Sequence, residues 1–310
     1  MAVSGKAIKQ RIKSVKNTKK ITKAMEMVSA AKMRKAIQYV TATRAYAVLA
    51  KELMEKLGGI SEVKSPLTEV RPIKKVLVIL FSSNRGLAGS FNANVFKKTQ
   101  AVLSHADVLG ETTSNDTLYD IIGVGKKSAY FAKRFNYPLI AAYDAIRDNP
   151  TVEDILPIAH FTIEKFKAEE YDAVLVAFTD FKSSILQVPR VRKLLPISKV
   201  DIETLLEEMP QSKKENIENK DETDTEYEFE PNTEMIIEVI LPRLFEVQLY
   251  QTLLESRASE HSARMVAMKN ATEAAGDMID ALTVEFNKAR QAGITKEIAE
   301  IAGGAAALEN

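Results

Sequence analysis

The spacing of apolar residues changes twice along this chain. From about Ala2 to Leu57 it is helical: no Gly lies between Gly5 and Gly58, no Pro before Pro66, and Ala, Lys, Met and Glu dominate. One helix of that length, at 1.5 Å per residue, spans roughly 80 Å, and Gly58-Gly59 ends it. The middle of the chain reads as short apolar runs alternating with helical stretches. Lys74–Phe81, Thr117–Gly125 and Tyr171–Phe178 are predicted strands, and helices are predicted near Asn92–Leu103, Lys126–Phe135 and Val152–Ala168. Ser183–Ile197 reads as an edge strand broken by Pro189. Such alternation implies a mostly parallel sheet.

From about Thr233 to at least Arg290 the helical period returns. Leu244, Val247, Gln251, Leu254, Ala258, His261, Met265, Met268, Thr272, Ala275, Ile279, Leu282, Phe286 and Ala289 follow alternating +3 and +4 steps. That is a heptad seam, though several positions are small or polar. Pro242 near its start predicts a kink or a later true start. The predicted architecture is α/β: a long antiparallel coiled coil of the N- and C-terminal helices with an inserted Rossmann-like α/β domain. The expected divisions are 1–58, an N-terminal coiled-coil helix; 72–200, the inserted domain; 201–232, an acidic linker; and 233–310, a C-terminal helix with a projecting tip. With equal rise in both helices, residue i faces roughly residue 290 − i. Ile8 then faces Leu282 and Met25 faces Met265. Beyond about Ala289 the second helix has no partner.

The segment Ala24–Ala36, AMEMVSAAKMRKA, breaks the amphipathic rule. Ala24, Met25, Met27, Val28, Ala30, Ala31 and Met33 point all the way round the helix, where a water-facing helix shows one apolar stripe. Pairing with the second helix covers one side only, so an enclosing partner is expected for the rest.

Charge sharpens the picture. The formal net charge of +1 conceals segregation. Lys6 to Lys35 holds one acid, Glu26, whereas acids outnumber bases from Glu203 to Glu230. Lys6, Lys9, Lys13, Lys16, Lys20 and Lys23 recur at +3 and +4 and share one face. Lysines near a helix N-terminus oppose its dipole, so local helix stability does not explain them. A solvated face and nucleic-acid binding are alternatives. No arginine fork or interleaved aromatics accompany the track, and an acidic protein partner is the preferred reading.

Catalytic chemistry finds little support. The absence of cysteine excludes thiol chemistry and disulfides. His105, His160 and His261 lack metal-ligand spacing. Ser82–Asn92, SSNRGLAGSFN, sits where phosphate loops occur in α/β folds. Its Gly86-x-x-Gly89 spacing fits no phosphate-loop pattern, and Gly123-x-Gly125 lacks a third glycine. A turn that needs small residues is preferred over a nucleotide site. No catalytic, cofactor or metal residues are assigned. The longest apolar runs, Val76–Phe81 and Ala173–Phe178, fall far short of a membrane span of about 20 residues, and the N-terminus has no apolar signal core.

Three stretches carry a family resemblance: NTKKITKAMEMVSAAKMRKA, SSNRGLAGSFNANV, and SEHSARMVAMKNATEAAGDMI followed by NKARQAGITKEIAEIAGGAAAL. In this order they resemble the gamma subunits of F-type ATP synthases. The resemblance implies a non-catalytic central rotor of a proton-translocating synthase, peripheral on the cytoplasmic face of a bacterial inner membrane. Its implied partners are the alpha and beta subunits of the catalytic ring, the epsilon subunit and the membrane c-ring, with no nucleic acid. Carried over by motif, the beta-facing positions are Met25, Glu260, Arg264, Gln291, Thr295 and Glu297. The foot on the c-ring and epsilon falls on Tyr227 and Phe229. The chain reads Ala88-Gly89-Ser90 where the family usually has Cys or a second glycine, and its acidic stretch is longer than usual.

Overall fold

The computed structural model describes residues 5–56, 65–105, 113–197 and 233–308. In chain order these form α1 (Gly5–Lys56), β1 (Ile73–Phe81), α2 (Phe91–His105), β2 (Thr113–Val124), α3 (Lys127–Phe135), β3 (Leu139–Tyr143), a short 3-10 turn (Val152–Asp154), α4 (Leu156–Lys167), β4 (Ala173–Phe181), β5 (Gln187–Leu195) and α5 (Thr233–Leu308). The chain separates into two compact units. One comprises residues 1–30 and 264–310, the other residues 31–263. The division cuts through both long helices.

In the larger unit the sheet order is β3-β2-β1-β4-β5. The first four strands are parallel, with Val78 of β1 flanked by Ile121 of β2 and Leu175 of β4. β5 runs antiparallel along β4 as the opposite edge. Alternation on β1 builds two cores, as a strand with both faces covered requires. Val76, Val78 and Leu80 pack with Val95 of α2 and Phe131 of α3. Leu77, Ile79 and Phe81 pack with Ile158, Ile163 and Phe166 of α4 and with Leu244, Phe245, Leu249, Leu253 and Leu254 of α5. Two positions of the α5 heptad seam, Leu244 and Leu254, therefore belong to the sheet core, together with Phe245, Leu249 and Leu253 beside the seam.

The smaller unit holds the coiled coil. Its seam residues Met268, Ala275 and Leu282 are buried, as is Ile8 of α1. The Thr22 hydroxyl accepts a hydrogen bond from the Thr272 hydroxyl at 2.8 Å, where the sequence estimate places Met268, one turn away. At the other end Gly5 lies against Phe286, one residue from the estimate. From Gln291 to Gly304 every residue is exposed, so the end of α5 packs against nothing among the described residues.

Three local readings are corrected. α5 begins at Thr233 and runs through Pro242; the later start does not occur, because Pro242 lies within two to three turns of the N-terminus and the helix continues into a deeply packed stretch. β5 is unbroken at Pro189: an edge strand leaves one side of its backbone without ladder bonds, and a residue lacking N–H fits there. α4 begins at Leu156 with Pro in its first turn, the place where a missing N–H costs no helical bond. Residues 152–154 form a separate 3-10 turn. β3 was not expected. It is five residues long and Ala-rich, and its partly exposed face gives no alternation.

Candidate functional site

The smaller unit presents the most distinctive surface. Lys6, Lys9, Lys13, Lys16, Lys20 and Lys23 are exposed and line a single groove along α1 and α5. Ile12, Ala24, Met27 and Ile279 give the groove apolar walls, and no acid lines it. Of the six lysines, Lys23 is paired, with Glu26 at 3.0 Å. The structure adds Lys19, which the six-residue face omitted. It also lines the groove, and its Nζ lies over Gly276, 2.9 Å from where a Cβ would stand. The +3 step from Lys16 and the helical glycine opposite were the available signals.

Next to the groove, apolar side chains stand in the open. Ile21, Met27 and Val28 are 61%, 58% and 54% exposed, and Met278 and Val284 of α5 are exposed as well. Ser29 is buried and its hydroxyl donates to the Met25 carbonyl at 2.7 Å, which leaves Met25 half-buried. Large exposed apolar patches mark interaction surfaces. This belt coincides with the segment that reads as apolar on every side.

The residues carried over as beta-facing do not gather into one site. Met25, Arg264, Gln291, Thr295 and Glu297 belong to the smaller unit and Glu260 to the larger. Gln291 lies about 40 Å along the helix from Arg264. Gln291, Thr295 and Glu297 are exposed, and the Thr295 hydroxyl donates to the Gln291 carbonyl at 3.0 Å. Arg264 is largely buried. Glu260 is only 4% exposed and pairs at 2.9 Å with Arg257, both side chains being enclosed. Its carboxylate thus faces the chain's own interior. Tyr227 and Phe229 lie outside the described residues.

In the larger unit the Ser82–Asn92 loop meets its own hydrogen-bonding needs. The Ser83 N–H donates to Asn92 Oδ1 at 3.0 Å, Asn92 Nδ2 to Ser83 Oγ at 2.7 Å, and Ser83 Oγ to the Arg85 carbonyl at 2.8 Å. Lys126 N–H reaches Asn84 Oδ1 at 3.0 Å. Gly89 and Leu87 both adopt positive φ. Gly125, at φ +91°, passes so close to Ser82 that a Cβ would meet its backbone oxygen at 2.2 Å. The glycines thus serve a turn packed backbone to backbone.

The larger unit also carries three charged groupings. Asp180 pairs with Lys182 and Arg190, each at 3.0 Å. Glu255 of α5 is pushed up to about 7, first by burial and then by the Asp180 charge, with Gln251, Arg192 and Lys182 acting against the rise. Asp148 accepts from Lys32 at 2.6 Å, and that bond holds its carboxyl below the usual range, aided by the charges of Lys32, His261 and Arg257. His160 lies 3.3 Å from Glu246. Among the described residues no three His, Asp or Glu side chains cluster as metal ligands.

Comparison with known proteins now bears on this surface. The family model described as ATP synthase matches residues 4–308. The chain is 40% identical over 309 residues to the ATP synthase gamma chain of Chloroflexus aurantiacus, covering 98% of this chain and 99% of that one. To the ATP synthase gamma chain of Roseiflexus castenholzii it is 42% identical over 308 residues, covering 98% of each. A chain of the rotor of the Euglena gracilis mitochondrial ATP synthase shares the fold with a TM-score of 0.62 at 17% identity, over 94% of this chain and 98% of that one. A chain from the Tetrahymena thermophila mitochondrial central stalk and c-ring gives 0.55 at 23% identity, over 81% and 99%.

Proposed function

The chain belongs to the ATP synthase gamma chain family, and from that premise we propose that it is the central rotary shaft of a proton-translocating F-type ATP synthase. The observation that carries this reading is the uncovered apolar belt of Ile21, Met27 and Val28 beside a groove of lysines. A coiled coil that worked alone in water would cover those side chains. One that turns inside a ring of subunits leaves them for the ring.

The mechanism is mechanical coupling. Proton flow turns the c-ring, the chain turns with it, and its asymmetric surface favours a different state of each beta subunit in turn. A shaft drives such changes only through contacts that differ between the states. Moving a two-state equilibrium from 1:99 to 99:1 takes about 5.5 kcal/mol, so several contacts act together. Met25, Arg264, Gln291, Thr295 and Glu297 supply part of them. The lysine groove supplies attraction to acidic segments of the ring. Glu260, held by Arg257 at 2.9 Å, belongs with Arg264 to the same contact set. The fully exposed end of α5 bears on the ring through Ile294, Ile298 and Ile301, which stand open.

In this reading the chain has no catalytic residue of its own, and hydrolysis and synthesis occur in the ring. The alpha, beta and epsilon subunits and the c-ring are its partners, with Tyr227 and Phe229 at the foot. It sits on the cytoplasmic face of a bacterial inner membrane through the complex. No helix among the described residues is long and apolar enough to cross a membrane.

Affinity purification of the tagged chain from gently solubilised membranes tests the proposal. Co-purification of alpha, beta and epsilon in fixed proportion is expected. Recovery of the chain alone overturns it.

A further inference from the structure

Both long helices contribute to the α/β unit. α5 buries Leu244, Phe245, Leu249, Leu253 and Leu254 against the sheet. Its Ser259 and Ser262 hydroxyls donate to the carbonyls of Thr179 at 3.0 Å and Ser184 at 2.6 Å. From α1, within residues 31–42, Ala36 and Val40 are the buried apolar side chains. Apolar contacts are non-directional and resist rotation of a helix about its axis less well than a directional pair does.

The loop of residues 144–150 is bonded from both sides. Lys32 of α1 donates to Asp148 Oδ2 at 2.6 Å. From α5, Arg257 Nη2 donates to the Ile146 carbonyl at 3.4 Å and the Tyr250 hydroxyl to the Pro150 carbonyl at 3.0 Å. Arg257 is itself fixed by Glu260 at 2.9 Å. Within the loop, Arg147 bonds Asp154 at 3.1 Å and Thr151 at 3.0 Å, which anchors it to the turn before α4.

We propose that this loop is a torsional tie: Asp148 takes Lys32 from α1 while the Ile146 and Pro150 carbonyls take Arg257 and Tyr250 from α5, so that both helices turn with the α/β unit. The proposal rests on the rotor reading and names Lys32 and Asp148 as positioning residues for torque transfer. The Lys32–Asp148 pair acts at the helix surface, off the helix axis, and is directional. Its side chains are 36% and 57% exposed, and an exposed pair adds little to folding stability. Removing it therefore leaves the fold intact and isolates its mechanical part.

The chain has no cysteine, so Lys133→Cys on the exposed face of α3 gives one attachment point for a bead on the assembled catalytic complex. The wild-type background rotates during ATP hydrolysis; a bead that does not rotate there overturns the rotor reading itself. In the pauses, the angular variance reports torsional stiffness. Coupling runs through packed side chains and ion-pair networks, and with the directional attachment of α1 released the variance is expected to rise above the wild-type value in Asp148→Asn and in Lys32→Ala. Asp148→Glu restores it. The thermal unfolding midpoint and the hydrolysis rate stay at wild-type values. Wild-type variance in both Asp148→Asn and Lys32→Ala, with rotation intact, overturns the tie alone. A rise in variance matched by a fall in unfolding midpoint, without rescue by Asp148→Glu, also overturns it, as a general loosening of the fold.

Discussion

Replacing Glu255 by Gln is expected to flatten the pH dependence of stability. Glu255 lies on α5 among Asp180, Lys182, Arg192 and Gln251, and its carboxyl titrates near 7 instead of the ordinary 4.5. An acid whose folded value is raised favours the fold only while protonated. Below about pH 4.5 both states hold the proton and no cost arises. As pH rises, the unfolded chain ionises first, and stability falls until pH passes the folded value. At 1.36 kcal/mol per pH unit, the gap between 4.5 and about 7 comes to about 3 kcal/mol. Residual solvent access at Glu255 makes that an upper figure. Gln keeps the shape and the hydrogen bond toward Gln251 but never ionises. The assay is urea unfolding of the full chain at constant ionic strength between pH 5 and 8.5. The wild type should lose about 2–3 kcal/mol relative to Glu255→Gln across that range, with the separation opening mainly below pH 7.5. Parallel stability curves would show that Lys182 and Arg192 already neutralise Glu255, and the reasoning would fail.

Other expectations follow from the same geometry. Gly125→Ala forces a Cβ onto the Ser82 backbone oxygen at positive φ and should cost at least about 3 kcal/mol by denaturant titration, since strain and overpacking add. Gly276→Ala meets only the tip of Lys19; the lysine swings aside, and the helix gains roughly 0.5–1 kcal/mol, seen as a higher unfolding midpoint. Met25→Lys places a charge in the apolar belt, and assembly should persist while proton pumping per ATP hydrolysed falls; an unchanged ratio removes Met25 from the contact set. Lys16→Glu with Lys20→Glu should slow association with the ring subunits and lessen the salt dependence of that rate, as loss of electrostatic steering requires, measured by stopped-flow reconstitution.

The long helices and the parallel strands were legible because each repeats one period over many residues. β1 and β4 are unbroken apolar runs, and such runs in a parallel sheet are buried on both faces. β3 was not legible, because a short edge strand of Leu139, Ile140 and two alanines has no periodicity to detect. The seam from Leu244 to Ala289 reads as a single coiled-coil surface, yet two of its positions, Leu244 and Leu254, pack in the sheet core beside off-seam Phe245, Leu249 and Leu253. A +3/+4 stripe says that a face is buried and is silent about what buries it. The lysine track and the apolar belt were readable from spacing alone. The enclosure of Glu260 was not, since its partner Arg257 is three residues away on a helix that carries charge on several faces. The tie through Asp148 joins residues 116 apart in sequence, and no local pattern points to it.

The Thr22–Thr272 hydrogen bond joins residues 250 apart, and this has a consequence for biosynthesis. α1 leaves the ribosome first, and its partner in the seam is made last. During nearly the whole of synthesis the nascent chain carries Ile8, buried in the finished fold, without its match, a liability for aggregation. When α5 arrives, a seam running Met265, Met268, Thr272, Ala275, Ile279 and Leu282 offers alternative alignments of similar apolar content. A slip by one heptad sets Thr22 against Met265 or Ile279 and loses the bond between the helices, while the Thr22 hydroxyl keeps the Lys19 carbonyl at 3.1 Å, so the slip forfeits about 0.5–1.5 kcal/mol. The threonine pair thus biases the last step of folding toward the native register.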